Sequence, residues 1–128
     1  MDNYKLKFTG LQNEIFRLFC IKADLFLNQR AIARYLNVSP TAVAKSLKLL
    51  EQEQLLTKEK SQTMNLNLVK LNRDNPETIQ LKKIENLKLI HESGIIKYLE
   101  HKFPGCAIIL FGSYSKGEDT TKSDIDLA

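Results

Sequence analysis

The sequence predicts an α+β chain in which three helices and a β-hairpin are followed by one long helix and a short α/β segment. Three observations carry this prediction. Two helical patterns meet at a tight turn around Asn37, which is the spacing of a helix-turn-helix unit. The polar stretch 72–76 ends in a proline that can begin another helix. The apolar run Cys106–Phe111 then breaks at Gly112, as a short buried strand does.

Charge is unevenly distributed along the 128 residues, whose net charge is +4. Residues 1–72 hold eleven Lys and Arg against six Asp and Glu, whereas residues 73–128 hold eight against nine. The basic first part suits a polyanionic partner, although many soluble domains are this basic. No apolar run approaches the roughly 20 residues needed to cross a bilayer, and residues 1–5 lack a signal-peptide pattern. We therefore expect a cytoplasmic protein without a membrane partner.

The first two helices have recognisable beginnings. Thr9 and Gln12 have the spacing of a capping box, which predicts a helix over Leu11–Lys22. Asn28 is a good N-cap for a second helix, predicted over Gln29–Leu36. The residue after that helix, an asparagine, tolerates the left-handed conformation of a tight turn.

The third helix is predicted over Pro40–Gln54, with Ser39 as its N-cap. One face of this helix is apolar and belongs to a core, and the opposite face is small and cationic. A small cationic face is expected of a helix in the DNA major groove, and a solvated lysine-rich face is the alternative. The residues expected to contact DNA here are Ser39, Thr41, Ala42, Lys45 and Lys48.

A β-hairpin is predicted after the third helix, with Leu55–Glu59 as its first strand and Met64–Leu68 as its second. Alternate residues of the second strand would be half-buried: Met64, Leu66 and Leu68, with Asn65 and Asn67 between them. Lys58 and Lys60 at the hairpin tip could reach DNA phosphates or be merely solvated.

The segment 28–56 resembles the winged helix-turn-helix domains of bacterial and archaeal transcription regulators. The positions that carry the resemblance are a small residue, a turn residue and an apolar residue: Ala33, Asn37 and Val43. Asn37 replaces the usual turn glycine, and Gln54 stands where glycine is also common. Both departures leave the DNA target open. The resemblance implies that residues 1–72 form a winged-helix domain that binds double-stranded DNA.

A long helix is predicted from Pro76, capped by Asn75, to about Glu92. Its apolar residues fall on two faces: Leu81, Ile84 and Leu87 on one, and Ile79, Leu89 and Ile90 roughly opposite. A helix that is apolar on two sides needs two partners. We expect residues 73–93 to be a linker that packs on the winged domain and on a second subunit or the C-terminal module. A homodimer through this helix is the corresponding hypothesis.

A short helix carrying Ile95, Ile96, Leu99 and Phe103 is expected next, ended by Pro104-Gly105. After the following strand, Gly112-Ser113 offers a backbone that can turn sharply and approach a ligand. Asp124 and Asp126 are predicted on a second short strand, where residues two apart point to one face. A Gly-Ser turn that faces paired carboxylates can hold a phosphate chain and divalent metals. Cys20 and Cys106 are predicted to be buried, reduced thiols.

This C-terminal stretch resembles the signature of the DNA polymerase beta type nucleotidyltransferases, most closely the minimal and kanamycin-type enzymes. The matching residues are Gly112, Ser113, Gly117, Ser123, Asp124 and Asp126. The resemblance implies that residues 94–128 begin a nucleotidyltransferase domain. There Gly112 and Ser113 would grip a nucleoside triphosphate, aided by Lys116, and Asp124 and Asp126 would be catalytic ligands of Mg²⁺. A third carboxylate comes from a later strand in that family, which would lie beyond Ala128.

Three functions remain open on the sequence alone. One is a DNA-binding winged-helix protein fused to a nucleotidyltransferase domain that is truncated here. Another is a transcriptional regulator with a catalytically dead remnant of that domain. The third is an antitoxin-like enzyme that transfers a nucleotide to a partner protein. The first and the third need the third carboxylate, and the second does not.

Overall fold

The computed structural model describes residues 7–64 and 66–128 of the chain. The described residues form an α+β fold of six helices and two small antiparallel sheets. The helices are α1 (Gly10–Ile21), α2 (Gln29–Leu36), α3 (Pro40–Gln52), α4 (Pro76–Glu92), α5 (Ile95–Lys102) and α6 (Gly112–Lys116). The strands are β1 (Leu56–Lys60), β2 (Asn67–Leu71), β3 (Leu110–Phe111) and β4 (Asp126–Leu127). Asn65 and residues 1–6, to which some predictions refer, lie outside the described residues.

Side-chain caps begin the first three helices, as predicted. Thr9 and Gln12 form the complete capping box, because each side chain accepts a hydrogen bond from the other residue's backbone N–H. Asn28 and Ser39 cap α2 and α3 by accepting a backbone N–H from three residues ahead. Asn37 ends α2 in the left-handed region with φ of 55°. The helix-turn-helix unit is confirmed.

The first core lies between α1, α2, α3 and the hairpin of β1 and β2. The two strands pair antiparallel from Leu56 opposite Leu71 to Lys60 opposite Asn67. Leu27 extends this sheet through two backbone hydrogen bonds of 2.8 Å with Val69. Fully buried apolar side chains of this core include Ile15, Phe19, Ile32, Val43 and Leu50. The arrangement is a winged helix.

The second wing strand differs from the prediction in position and in its buried face. It begins at Asn67, three residues later than expected. Val69 and Leu71 are buried, whereas Met64 and Leu66 are exposed. Pairing with β1 and with the α1–α2 connection fixes this register. Because side chains alternate across a strand, these partners turn the odd-numbered positions toward the core.

Helix α4 has the predicted bounds, but the residues that it buries form a largely polar stripe. Its buried residues recur every four positions: Thr78, Lys82, Asn86 and Ile90. Leu81 packs at the edge of the first core. Ile84 and Leu87, on the same predicted apolar face, are exposed. The sequence prediction missed the polar stripe, because its partners come from a distant part of the chain.

The C-terminal segment is more open than expected. Helix α5 follows Gly94, whose φ is 84°, and buries none of its residues. The predicted burial of Cys106 is wrong, because its side chain is exposed, whereas Cys20 is buried as expected. In the described part of the chain, no helix has both the length and the apolar character that crossing a membrane requires.

The strand predicted over residues 106–111 is reduced to the two residues of β3. Its antiparallel partner β4 is equally short, so Leu110 pairs with Leu127 and Phe111 with Asp126. Ile109 and Ala128 add two backbone hydrogen bonds, of 2.8 and 2.9 Å, at the open end of this ribbon. The ribbon brings the Gly-Ser turn and the second predicted aspartate to one place.

Candidate functional site

Gly112 and Asp126 lie in direct contact at the end of the C-terminal ribbon. Gly112 has φ of +81°, a conformation that L side chains rarely adopt. A Cβ atom added there would collide with Oδ2 of Asp126 and lie 3.3 Å from its Cγ. The carboxylate therefore occupies the space that a side chain at position 112 would fill. Two of the predicted site residues are brought together by this contact.

The Gly-Ser pair begins the short helix α6, where the sequence predicted a sharp turn. Ser115 Oγ donates to the carbonyl of Gly112 at 2.8 Å, which tightens the first turn. Gly117 then ends the helix in the left-handed region, with φ of 72°. Ser113 is half-buried and Lys116 is exposed. The Gly-Ser backbone is therefore held in a defined helical turn.

Asp124 does not share a strand with Asp126, contrary to the prediction. The preceding residues form a turn in which the backbone N–H of Thr120 donates to Ser123 Oγ at 2.9 Å. Strand β4 begins only at Asp126, because its pairing partner β3 is two residues long. Asp124 is exposed, whereas Asp126 is half-buried. The structure places Asp126 against the Gly-Ser turn, and the role of Asp124 at this site stays a prediction.

The Asp126 carboxylate suits a metal site whose other ligands are waters and substrate phosphates. Among residues 7–64 and 66–128, no three His, Cys, Asp or Glu side chains cluster closely enough to hold a metal ion by themselves. Mg²⁺ is usually held by one or two carboxylates together with waters and substrate phosphates. Asp126 beside the Gly112 backbone fits that partial role, and Asp124 as a second carboxylate stays a prediction.

A cluster of four side chains, absent from the sequence prediction, joins α4 to the residues around α6. We call Lys82, Asn86, Tyr114 and Asp119 the buried polar cluster. Lys82 forms an ion pair with Asp119, and their side chains are 0% and 9% exposed. The amide nitrogen of Asn86 donates to Asp119 Oδ1 at 2.8 Å and to the carbonyl of Tyr114 at 3.0 Å. The Tyr114 hydroxyl donates back to the Asn86 carbonyl at 3.0 Å.

Burial and charge shift the pKa of two ionisable groups, one in this cluster and one beside it. Burial, followed by the nearby Asp119 charge, raises the pKa of Tyr114 above its ordinary value. Burial also raises the pKa of the neighbouring Cys20 thiol far above its usual range, so this thiol is protonated and unreactive at neutral pH. Neither shift creates a nucleophile, and the cluster is a structural junction rather than a reactive site.

Gly117 lets α6 approach α4 closely. A Cβ atom at this position would lie 2.8 Å from the carbonyl oxygen of Ile79 and 2.9 Å from Cγ of Lys83. The first of these atoms belongs to the backbone and cannot move aside cheaply. Glycine is thus required both for the left-handed turn and for the helix contact. Gly117, which matches the nucleotidyltransferase signature, therefore has a packing role in this structure.

Asp24 connects the winged helix to the turn that precedes Asp124. Its two carboxylate oxygens accept hydrogen bonds from the backbone N–H and the side-chain hydroxyl of Thr121, both at 3.0 Å. The backbone hydrogen bond from Thr121 is the main cause that lowers the pKa of Asp24. Asp24 lies between α1 and α2, so the C-terminal segment is tied to the connection that leads into the helix-turn-helix unit. The sequence carried no signal for a contact 97 positions apart.

The predicted DNA-contacting residues lie mostly on the exposed surface of the winged helix. Thr41, Lys45 and Lys48 are exposed on α3. Ala42 is half-buried, and the Ser39 hydroxyl already accepts the cap hydrogen bond of α3. On the wing, Lys60 is exposed, and Lys58 forms an ion pair of 3.6 Å with Glu51 at the end of α3. This ion pair links the wing to α3.

Comparison with known proteins adds one family model and a group of solved structures. The model described as a nucleotidyltransferase domain matches residues 92–128. No curated protein matches the sequence.

Three of the similar solved structures are those of two bacterial proteins, ZitR and AdcR. ZitR of Lactococcus lactis, a zinc-responsive MarR family member, has 23% identity and a TM-score of 0.58 over 82% of this chain and 69% of that chain. The structure of ZitR in complex with DNA has 23% identity and a TM-score of 0.56 over 80% and 67%. The adhesin competence repressor AdcR of Streptococcus pyogenes has 20% identity and a TM-score of 0.60 over 81% and 72%.

These likenesses establish the fold. The chain has the winged-helix architecture of those regulators, as the sequence predicted. The matched 82% of the 128 residues is a larger part of the chain than the 72 residues of the predicted winged domain, so the similarity extends beyond that domain. Residues 92–128, in contrast, match the nucleotidyltransferase domain model.

Proposed function

We propose that this protein binds double-stranded DNA through its winged helix and a magnesium-bound nucleoside triphosphate through Gly112, Ser113 and Asp126. The observation that carries the proposal is the Asp126 carboxylate in the space beside Gly112. This contact lies in a segment matched by a nucleotidyltransferase model and packed on a winged helix. We divide the chain into a DNA-binding domain at 1–72, a linker at 73–93 and a nucleotide-binding segment at 94–128.

DNA binding is supported by the position and charge of α3. It is the second helix of the helix-turn-helix unit, which is the helix that enters the major groove in such proteins. Its outward residues are small or cationic, and Lys45 and Lys48 form no ion pair within the described residues. One similar structure, that of ZitR, was determined in complex with DNA. Lys60 would add a phosphate contact from the wing. Lys58 would do the same once its ion pair with Glu51 is broken.

Changing Lys45 and Lys48 to Ala together is expected to weaken binding to a pool of duplex DNA. Two lost phosphate contacts should reduce the slope of log affinity against log salt concentration by about 2. Fluorescence anisotropy with a labelled duplex at several salt concentrations measures both quantities. The matched control changes Lys97 and Lys102 on α5 to Ala, which removes the same charge from another surface. Equal losses in the two variants would remove α3 from the interface.

The nucleotide site would use the backbone of α6 and the two aspartates. Ser113 and the first backbone amides of α6 would contact phosphate oxygens. Lys116, at the end of α6, would add positive charge near the phosphates. Asp126, with Asp124, would hold Mg²⁺, which supplies neutralisation of the triphosphate charge when bound. In a nucleotidyl transfer, an acceptor hydroxyl would displace pyrophosphate from the nucleotide. Radiolabel from an α-labelled nucleoside triphosphate should then appear on an acceptor.

A transcriptional regulator that binds nucleotide without transferring it is the second candidate. It is favoured by the exposed position of Asp124 outside strand β4, which leaves Asp126 as the aspartate in contact with Gly112. The two candidates differ in one measurement. Transfer predicts labelled product that disappears in Asp126→Asn, whereas the regulator predicts nucleotide binding, and DNA affinity that changes with nucleotide, without labelled product.

A further inference from the structure

We propose that Lys82 and Asn86 of α4 are positioning residues for the Gly112–Ser113 turn. Through Asp119 and Tyr114, they hold α6 in the orientation that places the turn against Asp126. The inference rests on the proposed nucleotide site, because it assigns the residues that preorganise this site. It gives the linker helix a role in nucleotide binding, although none of its residues belongs to the nucleotidyltransferase signature.

The contacts run from the middle of α6, and from a residue just after it, to one face of α4. Tyr114 lies within α6, and its carbonyl and hydroxyl both bond to Asn86, at 3.0 Å each. Asp119 lies just after α6 and bonds to Lys82 and Asn86. A helix of five residues has little stability of its own, because a single turn fixes many dihedral angles for few hydrogen bonds. The contacts with α4 therefore determine where α6 lies.

The burial of these groups makes the arrangement specific. Lys82 and Asn86 are 0% and 2% exposed, and Asp119 is 7% exposed. A buried amide or charge without a partner is strongly unfavourable, so these residues allow α6 few alternative positions. Buried ion pairs contribute little net stability compared with apolar residues of similar size. The main consequence of the buried polar cluster is thus a fixed position for α6 rather than added stability.

The turn needs this support because its contact with Asp126 is close. Gly112 packs against the Asp126 carboxylate without room for a Cβ atom. A small displacement of α6 would separate the backbone amides that would bind phosphate from the carboxylate that would bind metal. Ligand groups held in position before binding need not be ordered when the ligand arrives, and their loosening weakens affinity.

The test compares two variants of the cluster with a matched control. Lys82→Met combined with Asp119→Leu removes both charges, so that no buried charge remains unpaired. Asn86→Ala removes both amide contacts and keeps the ion pair. The control, Lys7→Met combined with Glu53→Gln, removes an exposed ion pair of 3.1 Å in the winged helix. Each protein is titrated with the magnesium complex of a non-hydrolysable ATP analogue. Its DNA affinity, melting temperature and amide hydrogen exchange at residues 112–117 are also measured.

Both cluster variants are expected to bind the analogue about tenfold or more weakly and to exchange faster at 112–117. Their DNA affinity should match that of the control, whereas their melting temperature should be lower, because each variant leaves a buried polar group with fewer hydrogen-bond partners. Unchanged analogue binding in a folded variant would overturn the positioning role, as would a parallel loss of DNA affinity, which indicates a general folding role. If the unaltered protein binds no analogue, the proposed nucleotide site is wrong, and the positioning role is rejected with it.

Discussion

At the scale of single residues, two glycines with similar backbones have different surroundings. Gly112 and Gly105 have φ of +81° and +79°. A Cβ atom at Gly112 would collide with Asp126, whereas one at Gly105 would meet nothing within 4 Å. The sequence indicated the importance of Gly112 through its motif. The contact itself depends on the pairing of β3 with β4.

We predict that Gly112→Ala destabilises the fold by more than Gly105→Ala. Both changes carry the left-handed strain, about 1–2 kcal/mol, but only the first adds a collision with the Asp126 carboxylate. Chemical denaturation of the two variants gives the free energies of unfolding. Equal losses would mean that the Asp126 carboxylate does not lie against Gly112.

Tyr114 is predicted to make the stability of the protein fall at high pH. Its pKa is raised in the folded protein above the ordinary value of 10.0. The unfolded chain therefore loses this proton first as pH rises. The stabilisation from neutral Tyr114 is complete below about pH 10 and is lost as pH rises through the folded pKa.

The variant Tyr114→Phe tests this alkaline dependence. It loses the hydrogen bond to Asn86, worth about 1 kcal/mol near neutral pH, and should lose less stability than the wild type as pH rises further. Tyr98, which is 56% exposed, provides the matched control Tyr98→Phe. Denaturation at several pH values gives the comparison. A Tyr114→Phe curve parallel to the other two would contradict the cause assigned to the shift.

At the scale of elements, local signals predicted the beginnings of helices well. Caps such as Asn28 and Asn75 act on the backbone a few residues away, so the sequence contains the whole interaction. The wing register and the polar stripe of α4 depend on distant partners. From the sequence alone, Lys82 would be predicted to be solvated, because its partner Asp119 lies 37 positions later in the chain. Non-local pairing explains both misses.

Helix α4 also leaves an apolar face open, which supports the homodimer hypothesis. Ile84 and Leu87 are 57% and 51% exposed. Changing both to Glu should shift the protein toward monomer in sedimentation equilibrium, because charge would have to be buried in the interface. Lys97→Glu on α5 serves as a surface control. A wild-type protein that sediments only as monomer at high concentration would reject this interface.

At the scale of the whole molecule, the C-terminal segment packs on the winged helix through several contacts. Arg17 of α1 forms ion pairs with Glu85 and Glu92 of α4. Asp24 binds Thr121, and α4 carries the buried polar cluster. Neither the family-like signature nor the helical periodicity of the sequence contained these links. They place the proposed DNA-binding and nucleotide-binding parts in one packed structure.

The central claim is that this winged-helix protein binds a nucleotide at Gly112 and Asp126, and isothermal titration with magnesium and a nucleoside triphosphate tests it most directly. The wild type should bind, and Asp126→Asn should bind at least about tenfold more weakly, because the lost charge removes a metal ligand. Glu118→Gln, which removes an exposed carboxylate just after α6, should leave binding unchanged. No heat of binding in the wild type, or equal affinity in Asp126→Asn, would contradict the claim.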